Sequence, residues 1–527
     1  MFLELYFGQL CRKIVATLTK TGTGMMKTDV IIIGGGATGT GIARDMALRG
    51  IDHCLVEKRD LAAGATGACH GLLHSGGRYA VEDRESAVEC IQENTILRRI
   101  GSKCVEQTEG LFVRLPGDTE EYRDLFLEGC HEAGIETELL SSSQALELVP
   151  NLNPNTTEAV KVPDASIDPF RLCMLNVESS ENNGGRVLTH HEVVDIVTHR
   201  GRCTAVRARD EFTSEIREIQ GKVIINATGA WGDQVAAMAG QEVQMSLSKG
   251  SLIIANHRLA NTVLNRLRPA ANGDIIVPNE TVSLAGTTSI RVDNPENLFV
   301  EDSEISEIRS EAAMMLPDFD NIRLVRSYTG VRPLLKVESP SGGDRAITRG
   351  FRVVDHGNGL FSILGGKLTT YRLMAEKLTD AVMDHFGINV PCTTAELPLE
   401  GQEALSGYPI SKRLHELENM MCECELVPRS KVKQVIEETG TKNISDIQHR
   451  TRLGMGPCQG GFCTYRALGL MQETGKMNPE EALDALRSFL QRRYKGTRSL
   501  LWGNQLREEQ LVEGIYLSLL GMAEHEV

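Results

Sequence analysis

The chain is short of aromatic residues, which make up 5% of its 527 positions and include only 2 tryptophans. That scarcity, beside 51 glycines, suits tight turns around a bound group better than an all-β sandwich. No apolar run approaches the roughly 18 residues that a membrane-spanning helix needs. Basic side chains are in deficit as well, with 56 Lys and Arg against 71 Asp and Glu and a net charge of -15. A nucleic-acid binder needs a basic face to neutralise phosphates, so that class is set aside. An even cysteine framework is also missing. Of 13 cysteines, nine are scattered singly from Cys11 to Cys392, as free thiols are in a reducing compartment. Residues 1–26 do not read as a secretory leader. Glu4 interrupts the apolar start, Arg12 and Lys13 follow it, and no small-residue cleavage site stands behind them. They are expected to be an extension of a cytoplasmic protein.

What the chain does have begins at Asp29. DVIII is a buried-strand run, a glycine-rich turn follows, and a helix carrying Ile42, Met46 and Leu48 stops at Gly50 before the strand IDHCLVE. Gly34, Gly36 and Gly39 form G-x-G-x-x-G inside this unit. Their glycines allow a tight turn, close approach of a pyrophosphate and close helix–strand packing, and the helix N-terminus meets the phosphate charge. Glu57 ends the second strand, placed to accept a hydrogen bond from a ribose hydroxyl. Two later elements select a flavin over a nicotinamide. KVIINATGAWG (222–232) supplies a returning strand ending in Ala-Thr-Gly, and GGKLTTYR (365–372) places two glycines at a helix start, whose dipole favours negative charge on a reduced flavin.

The predicted fold class is α/β. An FAD-binding Rossmann-like domain of the glutathione-reductase-like superfamily is interleaved with an α+β substrate domain over residues 27–395. A linker at 396–415, a small domain at 416–475 and a helical tail at 476–527 complete it. In the tail, Asn478 caps a helix with Pro479 at its first position, and Leu483, Leu486, Phe489 and Leu490 form an apolar face. That face, with the basic run Arg492-Arg493-Tyr494-Lys495, is a candidate docking element, against the alternative that the helix packs on its own domain.

Four cations stand out in an acidic chain: Arg78, Arg332, Arg349 and Lys367. Together they suggest a pocket for a dianion, because guanidinium forks pair bidentately with phosphate oxygens. The motifs GGGATGTGIARD, GLLHSGGRY, KVPDASIDPFR, NATGAW, SKG, GTTS, SYTGVRPL, ITR and GGKLTTYR occur in this order. As a set they resemble the FAD-dependent glycerol-3-phosphate dehydrogenases, over residues 27 to 395. The cysteine-bearing extension resembles the anaerobic type. The resemblance implies oxidation of sn-glycerol 3-phosphate to dihydroxyacetone phosphate, with hydride passing to FAD. It implies His74 as the base, Arg332, Arg349, Lys367 and Arg78 as site cations, and FAD contacts at Gly34, Gly36, Gly39, Glu57, Thr66, Ala227, Thr228, Gly229, Gly365, Gly366, Lys367, Leu368 and Thr369. It further implies B and C partner subunits, quinone as the indirect acceptor, and a peripheral place on the inner face of the cell membrane.

Cys422-x-Cys424 and Cys458-x4-Cys463 make two close thiolate pairs. Such sets hold zinc or iron–sulfur clusters. The flanks CECELVPRSKV and RTRLGMGPCQGGFC resemble the small bacterioferritin-associated-ferredoxin type of 2Fe-2S domain, with zinc as the alternative. Other functional readings are an FAD-dependent amino-acid or 2-hydroxy-acid oxidase and a non-catalytic electron-transfer subunit.

Overall fold

Residues 30–33 are β-branched throughout and no more than 5% exposed, the signature of a strand covered on both faces. In the computed structural model, which describes residues 26–335, 350–400 and 419–519, they sit near the centre of a six-stranded sheet. Its order is Arg186–Leu188, His53–Val56, Val30–Ile33, Val223–Asn226, Leu360–Gly365, Phe351–Asp355. All neighbours are parallel except the last, which turns back antiparallel at the edge. Helices Ala37–Leu48 and Tyr371–Phe386 cover one face, and Ile42, Met46, Met374 and Leu378 join Val30 and Ile32 in the core between them. This is the dinucleotide-binding half, and the predicted strand–turn–helix–strand falls where the pattern put it.

A nine-stranded mixed sheet forms the second layer. Its long strands Met245–Ala255 and Leu324–Leu335 pair antiparallel, with Ser248 opposite Arg332. Strands of this sheet come from both sides of residue 223 in sequence, so the two subdomains interleave as expected.

Two expectations about the C-terminal part need correcting. Residues 396–400 do not begin a detached linker. Leu399 is 2% exposed and donates its N–H to Ile100, while the buried Arg44 guanidinium donates to the carbonyls of Thr394, Leu397 and Pro398. The rest of that segment, 401–415, lies outside the described residues, as do residues 1–25. Nor is the tail separate from the cysteine-bearing domain. Helices Arg429–Thr439, Ile444–Thr451, Cys463–Glu473 and Pro479–Thr497 share one core, built from Val432, Ile436, Ile447, Leu470, Leu486, Phe489 and Leu490. Asn478 and Glu481 form the capping box of the last of these, with Pro479 in its first turn. Its apolar face is therefore occupied within its own module rather than offered for docking. Leu483 alone points outward, and Arg493 and Tyr494 of the basic run are buried.

The module is joined to the flavin-type body by charged and ring contacts. Arg450 donates to Asp60 at 2.8 Å, His190 bridges Glu211 and Asp446 at 2.8 and 2.9 Å, and the His449 ring stacks on Phe170 at 4.3 Å.

Candidate active site

The glycine turn opens onto a cavity of about 860 Å3 that runs from Gly34 and Glu57 past Thr228 and Gly366 to His74 and Arg332. Two of the motif glycines do different work. A Cβ on Gly39 would lie 1.9 Å from the Gly34 carbonyl oxygen, so this position closes the helix onto the turn. A Cβ on Gly36 would meet only the Thr66 hydroxyl at 3.1 Å. That side of Gly36 faces the cavity. No side chain caps the helix there and its first turn holds no acidic residue, so its dipole is directed at the space. Flavin-sized volume, an uncapped helix N-terminus and a glycine-lined approach fit FAD.

Two expected contacts are partly engaged with the turn itself. Glu57 accepts the N–H groups of Gly35 at 2.6 Å and Arg59 at 2.8 Å, and burial pushes its carboxyl pKa up. The Thr66 hydroxyl accepts the Ala37 N–H at 3.1 Å. Both line the cavity, with Ala227, Thr228, Gly229, Gly365, Gly366, Lys367, Leu368 and Thr369. The helix after GGKLTTYR begins only at Tyr371. The two glycines therefore lie at the end of the strand Leu360–Gly365 and just after it, with φ of 81° and 84°, rather than in the helix's first turn.

Among the expected cations the structure distinguishes roles. Arg332 rises from the strand Leu324–Leu335 and lies across Gly250, where a Cβ would sit 2.4 Å from its guanidinium. That explains the glycine of the SKG motif. The Arg332 fork donates to the Thr287 hydroxyl, to the Thr288 carbonyl at 3.1 Å and to the Ser248 hydroxyl at 3.5 Å, all neutral oxygens. Arg78 reaches the same cavity, but pairs with the buried Asp274 at 2.9 Å and with Asn265. Lys367 donates to Ser86 at 3.0 Å, stands 3.7 Å from Glu89 and lies over the Tyr79 ring. Arg349 lies outside the described residues.

His74 is held by its backbone N–H on Thr369 and by ring contacts with His70 and Tyr79. Sequence reasoning missed His70. Burial, then the nearby Arg332 and Arg78 cations, push its imidazole down to about 3. Its Nδ1 accepts the Leu72 N–H at 3.1 Å, which assigns the proton to Nε2 and makes this ring a neutral donor. Thr287 and Ser248 were also missed as individual residues, although the GTTS and SKG motifs carried them.

The four cysteines converge in the C-terminal module. Cys424 and Cys458 have their sulfurs 3.3 Å apart, and this contact, then burial, pushes the Cys458 thiol up. The Cys424 thiol pulls the Cys422 thiol down, but the contact with Cys463 and burial outweigh it and push it up. Among the described residues, no three His, Cys, Asp or Glu side chains surround one ion. A donor set in sulfur pairs suits a two-iron cluster, in which each iron takes two thiolates.

Comparison with known proteins agrees. Residues 29–372 match the family described as FAD dependent oxidoreductase, and residues 420–473 the BFD-like 2Fe-2S binding domain. The chain is 41% identical over 533 aligned residues to the A subunit of the anaerobic glycerol-3-phosphate dehydrogenase of Escherichia coli, covering 95% of this chain and 98% of that one. The chain belongs to the family of anaerobic glycerol-3-phosphate dehydrogenase A subunits. A member from Haloferax volcanii, of the A1 form, is 40% identical, with 94% of this chain and 91% of that one covered. The glycerol-3-phosphate dehydrogenase of Bacillus halodurans, solved with FAD, shares the fold at a TM-score of 0.65 and 21% identity, covering 90% of this chain and 96% of that one. The family assignment brings FAD to the glycine-lined cavity and a 2Fe-2S cluster, rather than zinc, to the cysteines. The amino-acid oxidase and non-catalytic readings give way to a dehydrogenase.

Proposed function

We propose that this chain is the catalytic subunit that oxidises sn-glycerol 3-phosphate to dihydroxyacetone phosphate. The observation that carries the reading is one continuous cavity joining the glycine turn to Arg332 and His74. FAD, when bound, accepts the two electrons and the hydrogen that leave C2 as hydride. Arg332, with the hydroxyls of Thr287 and Ser248, holds the substrate phosphate. The fork supplies charge, and its anchoring on neutral oxygens fixes its direction. His74 accepts the proton of the C2 hydroxyl, so that the carbonyl of the product forms as the hydride departs. His70, a neutral donor beside it, hydrogen-bonds the same oxygen and orients it. Lys367 keeps the flavin end of the cavity positive, while Arg78 lines the cavity as an ion pair with Asp274.

The 2Fe-2S group held by Cys422, Cys424, Cys458 and Cys463 supplies one-electron transfer toward other subunits. Those partners are B and C subunits, with quinone as the distant acceptor and the inner face of the cell membrane as the place of assembly. Among the described residues no helix is long and apolar enough to cross a membrane, which supports attachment through partners. Anaerobic addition of glycerol 3-phosphate to the purified chain should bleach the flavin, while glycine and lactate should not. Bleaching by glycine or lactate and none by glycerol 3-phosphate would overturn the reading.

A further inference from the structure

The family's iron–sulfur match ends at residue 473, yet the chain continues into helices Pro479–Thr497 and Asn504–Gly514. Two side chains of this tail reach back to the cysteine loop. Arg493, on the first helix, donates from one guanidinium nitrogen to the Cys458 carbonyl at 3.0 Å and to the Gln459 carbonyl at 2.5 Å. Its other nitrogens bind Glu509 at 3.0 and 3.1 Å, and both partners are about 95% buried. The Tyr516 hydroxyl, also buried, donates to the Gly460 carbonyl at 3.2 Å and the Gly461 carbonyl at 3.1 Å. Four successive carbonyls of the loop therefore receive tail donors.

The opposite ends of the same peptide units face a sulfur. The backbone N–H groups of Gly460 and Gly461 hydrogen-bond Cys458, and that of Gly461 is shared with the Cys458 carbonyl at 3.1 Å. A trans peptide points its C=O and N–H in opposite directions. The Gln459–Gly460 unit thus takes Arg493 on its oxygen and gives its N–H to Cys458. The Gly460–Gly461 unit does the same with Tyr516. The loop also holds Gln459 at a left-handed φ of 49°, a conformation a non-glycine residue keeps only when its surroundings fix it.

We propose that Arg493 and Tyr516 are positioning residues for the iron–sulfur centre, which fix and polarise the two peptide units whose N–H groups face Cys458 and thereby raise the centre's reduction potential. Hydrogen bonds in a chain polarise one another, so a donor on the carbonyl strengthens the N–H at the far end. N–H···S bonds favour the reduced, more negative cluster. The proposal rests on the 2Fe-2S assignment of the four cysteines.

The test is an EPR-monitored redox titration of the full chain with its iron content measured. Tyr516→Phe removes one hydroxyl and Arg493→Lys keeps the charge but loses the fork. Both should lower the midpoint potential, or lose the cluster from protein that still binds flavin. Tyr494→Phe is the control. Its hydroxyl is buried in the same core with no hydrogen-bond partner among the described residues, and the midpoint should not move. Full iron and an unchanged midpoint in both Tyr516→Phe and Arg493→Lys would overturn the proposal. So would equal shifts in all three variants. Native chain purified anaerobically without a 2Fe-2S signal would instead overturn the cluster assignment itself.

Discussion

The flavin cavity and the cysteine module solve opposite problems. The cavity is built from side chains brought together across the whole body: Arg332 on one sheet, His74 on a loop, Lys367 beside the helix Arg84–Ile100. The module gathers its four sulfurs within 42 residues and surrounds them with backbone, glycine and a compact core. Moving a hydride needs a shaped volume in which substrate groups are held and deprotonated at stated places. Moving an electron needs only a held metal centre with a tuned potential. Damage in one region should therefore be legible in one half-reaction and silent in the other.

The sharpest break of this comparison is at the turn. Gly36→Val places a branched side chain on the face open to the cofactor, and should yield folded protein with an intact iron–sulfur signal and no flavin. Gly39→Val, by contrast, should fail to fold, because its Cβ collides with the Gly34 carbonyl. Flavin content and thermal unfolding of the two purified variants separate these outcomes. Normal flavin in Gly36→Val would mean that FAD lies elsewhere.

Cys458→Ser makes the reciprocal break. The 2Fe-2S EPR signal should vanish, while anaerobic bleaching of the flavin by glycerol 3-phosphate persists. Loss of bleaching would show the two regions to be one functional unit.

Arg332→Leu should act within the cavity alone. Removing the phosphate contact proposed for it should cost about a hundredfold to a thousandfold in kcat/KM, roughly 3–4 kcal/mol. Steady-state kinetics with a dye acceptor measure it, and the cluster spectrum should be unchanged. Kinetics equal to the parent would move the phosphate site away from this residue.

The smallest expected effect lies where the regions meet. Burial works against a charged His190, but its hydrogen bonds to Asp446 of the module and Glu211 of the body outweigh this and raise its pKa to about 10. An unfolded histidine titrates near 6.5. Because the folded value is the higher one, the stabilisation is full below about pH 6.5 and is lost as pH rises through the folded value. His190→Asn should therefore lower the thermal midpoint more at pH 6 than at pH 10. A difference independent of pH would remove the charge from this contact.

These contrasts also explain how much the sequence revealed. The glycine turn, its strands, the four cysteines and the Asn478 cap are local patterns, in which neighbours along the chain are neighbours in space. All were legible. Arg78 looked like Arg332 because each follows a glycine-bearing turn, yet only Arg78 meets Asp274, 196 residues away. The low pKa of His70 arises from burial beside two arginines that folding brings in, and no spacing announces that. For the tail helix the sequence left two readings open, docking and packing on its own domain, and the structure shows the second. Its apolar stripe was visible, but the core it fills belongs to Ile436, Ile447 and Leu470, which sequence proximity does not pair with it.

The most direct test of the division of labour is an anaerobic stopped-flow reaction of the reconstituted chain with glycerol 3-phosphate, followed in the flavin band with freeze-quenched EPR of the cluster. The account predicts flavin bleaching whose rate is the same in native chain and in Cys458→Ser, with the cluster signal rising afterwards in the native chain only. A cluster signal that precedes flavin bleaching, or no bleaching by this substrate, would contradict it.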